Sequence, residues 1–365
     1  MISPLQAVRR LGQSTWLDFI SRGLVTSGQL QRLIDDGLRG LTSNPTIFHK
    51  AVTQGKDYDD AIRAILNADP DIDTRALYDR LVVEDIQMAA DALRPVYDQT
   101  DGVDGLISLE PPAQLAYDTG ASLAEIRRLW KLVNRPNLMI KVPATPQGIP
   151  AVEASIADGL NINITLMFSM KHHEAVSQAY IRGIAGNPAP QRITSVASFF
   201  VSRVDTMVDR ELEKIGTQEA LALRGKAAIA NCKLVYQRFR ELFYGEGFAG
   251  QRQRGARVQR LLWGSTSTKN PAYSDVLYVD GLIGPDTINT IPLETIEAFN
   301  DHGKACRTLD EGIEEAGRVL PDLRRLGIDL DAITEQLQRD GVKAFADSLD
   351  QLLKALEEKR SALVS

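Results

Sequence analysis

Cysteine is scarce in this chain: of 365 residues only Cys232 and Cys306 are cysteine, far apart and without metal-ligand spacing. Neither a disulfide framework nor a zinc site is expected, and a reducing compartment suits the composition. Basic excess is also missing, since 42 Lys and Arg against 48 Asp and Glu leave a net charge of -6. Proteins that bind nucleic acid carry surplus cations to neutralise phosphates, so no nucleic-acid partner is expected. No apolar run approaches the roughly 20 residues of a membrane span, and residues 1–10 lack the apolar core of a signal peptide. The expected location is the cytoplasm, away from any membrane. Internal repeats, low-complexity segments and Gly/Ser linkers are absent as well. The 44% hydrophobic and 25% charged residues suffice for a soluble core. One domain over residues 1–365 is the economical expectation, with 320–365 as a C-terminal helical extension.

Eight short apolar runs stand out, at residues 15–20, 38–43, 105–109, 138–142, 162–168, 193–199, 260–265 and 276–282. Helical periodicity fills the intervals. Helix starts are expected at Thr26 or Ser27 before 29–36, at Ser169 before 170–182, and at Thr290 before 291–299 with Pro292 in the first turn. Alternating strand and helix imply a parallel sheet, and eight strands are the number at which such a sheet closes. The expected fold class is therefore α/β, a (β/α)8 TIM barrel. Extra helices are expected after the sixth strand, in 202–245, and after the eighth, where 344–363 carries Phe345, Leu349, Leu352, Leu353 and Leu356 on one stripe. A doubly wound sheet is the rival, but no Gly-rich phosphate fingerprint follows any of the runs.

Chemistry in a barrel sits at the C-terminal strand ends, and side chains two apart on a strand face the same way. Polar residues at those ends are informative. Asp18 sits among Trp16, Leu17, Phe19 and Ile20; Ser108 and Glu110 are two apart, as are Asn163 and Thr165; Lys141 interrupts an apolar stretch from Leu138 to Pro143. Singly, each has an ordinary reading: a snorkelling lysine, a loop cap, a surface glutamate before Pro111 and Pro112, satisfied core polars. Together they point to a shared site, because burying unpaired charge is costly. Such a ring suits amine catalysis. The nucleophile is the neutral amine, which an ordinary lysine offers in about one molecule in 2,500 at pH 7, and desolvation enlarges that fraction. Nearby carboxylates favour the cation, so at least one serves better as a proton shuttle. His172 and His173 are adjacent and lack a partner at helical spacing, so no metal is expected there. The hydroxyl-rich turn from Ser265 to Lys269 reads either as a solvated loop or as a phosphate site.

The stretches Leu41-Thr42-Ser43-Asn44-Pro45-Thr46-Ile47-Phe48, Asn137-Leu138-Met139-Ile140-Lys141-Val142-Pro143-Ala144-Thr145 and Asn161-Ile162-Asn163-Ile164-Thr165-Leu166-Met167-Phe168-Ser169 resemble transaldolase signatures. So do Ser198-Phe199-Phe200-Val201-Ser202-Arg203-Val204-Asp205 and the block from Tyr273 to Glu294. The resemblance runs from about Thr15 to Gly303 in the family's motif order and is to long-chain bacterial transaldolases of the class I aldolase superfamily. It implies a Schiff-base lysine at Lys141, an acid/base aspartate at Asp18, and Glu110 with Thr165 holding a catalytic water. It further implies substrate contacts at Asn44 and Asn163 and phosphate contacts at Ser198 and Arg203; Ser108, two residues before Glu110 at the strand end, is a further substrate-binding candidate from its position. Lys269 stands where shorter transaldolases carry an arginine, and lysine supplies the charge without the bidentate fork. The implied reaction moves a dihydroxyacetone unit from sedoheptulose 7-phosphate or fructose 6-phosphate to glyceraldehyde 3-phosphate or erythrose 4-phosphate, in the non-oxidative pentose phosphate pathway. It requires no cofactor and no metal. Sugar phosphates are the expected partners, and a homodimer is compatible with the resemblance. Two alternatives stay open: an aldolase of the fructose-6-phosphate type that releases free dihydroxyacetone, and a non-catalytic sugar-phosphate-binding barrel.

Overall fold

The computed structural model describes residues 2–53 and 55–364, so Met1, Gln54 and Ser365 of the expected span lie outside the described residues. Eight parallel strands close a barrel in sequence order: β1 (Gln13–Leu17), β2 (Gly40–Leu41), β3 (Leu106–Leu109), β4 (Leu138–Pro143), β5 (Ile162–Met167), β6 (Ser195–Phe200), β7 (Arg260–Gly264) and β8 (Thr287–Ile291). β8 pairs back onto β1, from Gln13 opposite Thr287 to Leu17 opposite Ile291. Every strand residue is buried, as expected of strands covered on both faces. The (β/α)8 fold class is as the sequence indicates.

Inside the barrel, residues that alternate along the strands form layers. Trp16, Leu106, Met139, Val196, Leu262 and Ile288 make an apolar floor of their own, separate from the outer core. Two residues before Trp16, Leu106 and Leu262 stand Ser14, Asp104 and Arg260, closed by an Arg260–Asp104 ion pair at 2.9 Å and a Ser14 Oγ to Asp104 Oδ2 bond at 2.8 Å. Two residues later stand Asp18, Ser108, Lys141, Ser198 and Thr290. Period two thus carries the chain from a charged plug, through an apolar floor, to the polar mouth. Gly40 leaves room for this floor: a Cβ there would lie 2.5 Å from the Trp16 ring.

Seven apolar runs coincide with strands, but the eighth does not. Residues 276–282 form a short helix, Leu277–Gly281, whose Tyr278 and Val279 are buried. The last strand is the polar-alternating Thr287–Ile291, where Asn289 and Thr290 sit among isoleucines. Accordingly Thr290 starts no helix: β8 runs to Ile291, Pro292 is the cap, and the helix is Leu293–His302. The helix Gln29–Asp36 begins at Gly28, with φ +74, and not at Thr26 or Ser27, because Thr26 ends a preceding one-turn helix. Ser169 does cap Met170–Gly186, accepting from the His172 amide. Between β2 and β3 the helices Pro45–Thr53, Asp59–Ala68 and Thr74–Gln99 form an elaboration that the sequence reading passed over.

After β6 come Ser202–Ile215 and Ala227–Tyr244, with a single turn between them. The expected C-terminal pieces are the end of Ile313–Arg325 and one long helix, Leu330–Val364. The long helix packs on Pro45–Thr53, Thr74–Gln99, Ser202–Ile215 and β5.

Candidate active site

The barrel mouth opens into a cavity of about 500 Å³ whose lining includes Asp18, Asn44, Arg203, Lys269 and Phe345. Beneath it lie the buried Lys141, Glu110, Ser108, Asn163, Thr165 and Ser198. All ten residues singled out in the sequence therefore stand at one end of one barrel.

Lys141 follows the apolar floor on β4, is 4% exposed, and donates from Nζ to the Ser43 carbonyl at 3.3 Å. The same nitrogen is 3.3 Å from Glu110 Oε2. This is an ion pair without hydrogen-bond alignment, since both Glu110 oxygens are buried with no hydrogen-bond partner, as is Thr165 Oγ1. Burial pushes the Glu110 pKa up to about 7, against the pull of Lys141 and with a further push from Asp18. A buried carboxyl poised near neutrality, beside an amine, is placed to exchange protons with it.

Asp18 follows the last residue of β1. Thr42 Oγ1 donates to its Oδ1 at 2.7 Å, and Thr42 also meets Thr290 Oγ1 at 2.7 Å. Burial raises the Asp18 pKa, opposed first by Lys141, then by the Thr42 bond, Arg203 and Lys269. Asn163, opposite Lys141 in the β4–β5 ladder, donates to Ser108 Oγ at 2.9 Å and accepts from Ser198 Oγ at 2.6 Å. The β3, β5 and β6 strand ends are thereby locked in one polar layer. Asn44 Oδ1 accepts from the Ile47 amide at 3.0 Å, so its carbonyl caps the next helix and its amide is left for the cavity.

Arg203 stacks on the Phe200 ring, 5.5 Å to the centroid, and desolvation lowers its pKa while Asp18 opposes. Arg203 does not pair with Asp205, two residues on, which accepts from the Ala228 amide and the Tyr278 hydroxyl at 2.7 and 2.9 Å. Lys269 is exposed at the rim and donates to Ser267 Oγ at 2.7 Å. His172 and His173 stand apart from this site. His172 contacts Glu335 at 3.2 Å and accepts from the Phe168 amide, whereas His173 is fully buried. Among the described residues no group of three or more His, Cys, Asp or Glu is disposed to hold a metal. No described helix is long and apolar enough to cross a membrane.

Sequence reasoning missed Thr42, the Ser43 carbonyl, Phe200, Lys50 and Phe345 as parts of this site. Thr42 carried a signal, a hydroxyl directly after β2 and two residues beyond the inward-facing Gly40. Phe345 carried none beyond its place in an apolar stripe.

A family model described as Transaldolase/Fructose-6-phosphate aldolase matches residues 15–356. The chain is 48% identical over 351 residues to a protein of Thiobacillus denitrificans (strain ATCC 25259 / T1) named Transaldolase, covering 95% of this chain and 97% of that one. It is similar at 44% identity over 369 residues to a Transaldolase of Thermobifida fusca (strain YX), across 99% and 100% of the two chains. A third, from Trichodesmium erythraeum (strain IMS101), is 42% identical across 97% of each.

Proposed function

The chain belongs to the transaldolase/fructose-6-phosphate aldolase family, and we propose that it works as a transaldolase through a Schiff base on Lys141. Transaldolase function, a transferase activity, is what full-length likeness at 42% to 48% identity supports. The aldolase that frees dihydroxyacetone and the non-catalytic barrel are not favoured. The observation that carries the Schiff-base reading is Lys141, buried above an apolar floor with its Nζ 3.3 Å from a Glu110 carboxyl raised to about 7.

In this reading Lys141 Nζ attacks the ketone carbon of fructose 6-phosphate or sedoheptulose 7-phosphate. The carbinolamine loses water with a proton from Glu110, relayed by a water that Glu110 and Thr165 share. Their buried oxygens, free of protein hydrogen bonds, support that assignment. Asp18, aimed by Thr42, takes the proton of the hydroxyl beside the bond that breaks. The aldehyde leaves, and the lysine-bound three-carbon unit stays until an aldose phosphate arrives, when the steps reverse. The iminium is the electron sink, so no metal or cofactor enters. Asn44, Ser108 and Asn163 hold substrate hydroxyls; Ser198, Arg203 and Lys269 face the phosphate end, with Arg203 as its bidentate partner.

The proposal extends to one domain over residues 1–365, including the 320–365 extension, and to a cytoplasmic role in the non-oxidative pentose phosphate pathway. It involves neither nucleic acid nor membrane and is compatible with a homodimer.

Borohydride treatment with fructose 6-phosphate, followed by peptide mass mapping, tests the chemistry. The adduct is expected on Lys141 alone, and Lys141→Ala should abolish both trapping and transfer. Trapping on another lysine, or an active Lys141→Ala, would overturn the reading.

A further inference from the structure

The C-terminal helix Leu330–Val364 crosses the mouth of the barrel. Phe345, 5% exposed, lines the cavity and sets its ring centroid 5.6 Å from Lys141 Nζ. The reacting nitrogen thus has polar groups on one side and an aromatic ring on another.

This placement is fixed by bonds to the strands that carry the site. Gln338, buried seven residues before Phe345, donates from Nε2 to the carbonyls of Ala144 and Leu166, each at 3.0 Å. Ala144 follows β4, which bears Lys141; Leu166 lies on β5, which bears Asn163 and Thr165, and has the unusual φ of +58. Gly341 packs so closely on Leu166 that a Cβ would come 2.7 Å from its side chain. One turn beyond Phe345, Ser348 Oγ meets Thr46 Oγ1 at 2.8 Å. A helix held on both sides of Phe345 is a registered roof.

We infer that Phe345 shields the Lys141-bound three-carbon enamine from protonation by stray water and so commits it to transfer. The inference rests on the Schiff-base reading and extends it. After cleavage the three-carbon unit is an enamine on Lys141. In transfer, its nucleophilic carbon attacks the acceptor's aldehyde carbon, a carbon–carbon bond forms, and the carbonyl electron pair moves to oxygen, which takes a proton from Asp18. In release, that carbon takes a proton instead, water adds to the resulting C=N carbon, and the C–N bond breaks to free dihydroxyacetone and the Lys141 amine. Both routes end with water hydrolysing a C=N bond to Lys141; release differs in that the three-carbon enamine is first protonated at carbon, before any acceptor has reacted. An apolar ring over the nitrogen occupies the space from which a stray water would protonate the enamine, while the water held by Glu110 and Thr165 on the polar side remains for hydrolysis of the transferred product, so premature release is disfavoured.

The test is the ratio of free dihydroxyacetone released to units transferred, measured with fructose 6-phosphate and erythrose 4-phosphate or glyceraldehyde 3-phosphate as acceptor. A ratio does not depend on the folded fraction, so a destabilised variant still answers. Phe345→Ala should raise it about tenfold, equivalent to a barrier difference of about 1.4 kcal/mol. Phe345→Leu, which keeps apolar cover, should stay near wild type. An unchanged ratio in Phe345→Ala, or a wild-type ratio already as high, would overturn the inference while borohydride trapping on wild-type Lys141 keeps the Schiff base standing. No trapped adduct in the wild type would overturn both.

Discussion

Glu110 directly follows β3 with both carboxylate oxygens buried, and its pKa of about 7 reflects burial outweighing the attraction of Lys141. A carboxyl raised in this way is protonated below about pH 7 and ionised above it. Carbinolamine dehydration needs the protonated form, so Schiff-base formation should slow as pH rises through about 7. Asp18, also raised but acting as the base, loses competence on the acid side, and the full profile is a bell. The two carboxyls influence each other, so the limbs belong to the pair as well as to each residue. Glu110→Gln should remove the alkaline limb and reduce the single-turnover rate of adduct formation by about 10²–10⁴-fold. A Glu110→Gln profile that keeps the same alkaline limb would assign that limb elsewhere.

The helix Met170–Gly186 carries a second titration, one of stability. His173 lies fully buried near its start, with Ser177 Oγ 3.3 Å from its Nε2, and burial drives its pKa from 6.5 down to about 3. Because the folded state resists protonation, the stabilising contribution is present above pH 6.5 and drains away as pH falls toward 3. One unit below the ordinary value, at about pH 5.5, the loss is about 1.4 kcal/mol. His173→Gln keeps a polar group near Ser177 but does not titrate. Denaturant melts should therefore show the wild type losing about that much relative to His173→Gln between pH 8 and pH 5.5; a constant difference would mean that His173 is not excluded from protonation.

How far an element could be read from sequence follows from what fixes it. β4 and β5 were legible because apolar runs interrupted by Lys141, or by Asn163 and Thr165, fit only a strand with one functional face. β8 was not, since Thr287, Asn289 and Thr290 give a polar strand, while the apolar run just before it is a buried helical turn. Periodicity over so short a run does not separate strand from buried helix. Asp18, Lys141 and Glu110 could be found as charges among apolar neighbours. The partnership of Thr42 with Asp18 and the roof position of Phe345, 204 residues beyond Lys141 in number (345 against 141), are tertiary facts that local pattern does not encode.

Across the whole barrel, two arginines placed at opposite ends separate stability from function. At the bottom, Arg260 is 8% exposed, pairs with Asp104 at 2.9 Å and donates to Ser14 Oγ at 3.1 Å, beneath the apolar floor. At the mouth, Arg203 lines the cavity, stacks on Phe200 and has no carboxylate partner among the described residues. Arg260→Ala leaves a buried aspartate unpaired and should cost about 3–5 kcal/mol of stability, while the KM of the molecules that fold should stay near wild type because the floor intervenes. Arg203→Ala should leave Tm close to wild type and raise the KM for phosphorylated donors by one to two decades, the worth of a charge-assisted pair of about 1.5–3 kcal/mol. An unphosphorylated ketose should respond little to Arg203→Ala. The opposite pattern, a fall in Tm with equal loss toward both substrates, would make Arg203 a second structural arginine. Conserving the separation is physically natural: the plug can be as tightly paired as burial demands only because no substrate charge ever has to replace its partners, whereas a mouth arginine already paired with a carboxylate would have to break that bond before it could hold a phosphate.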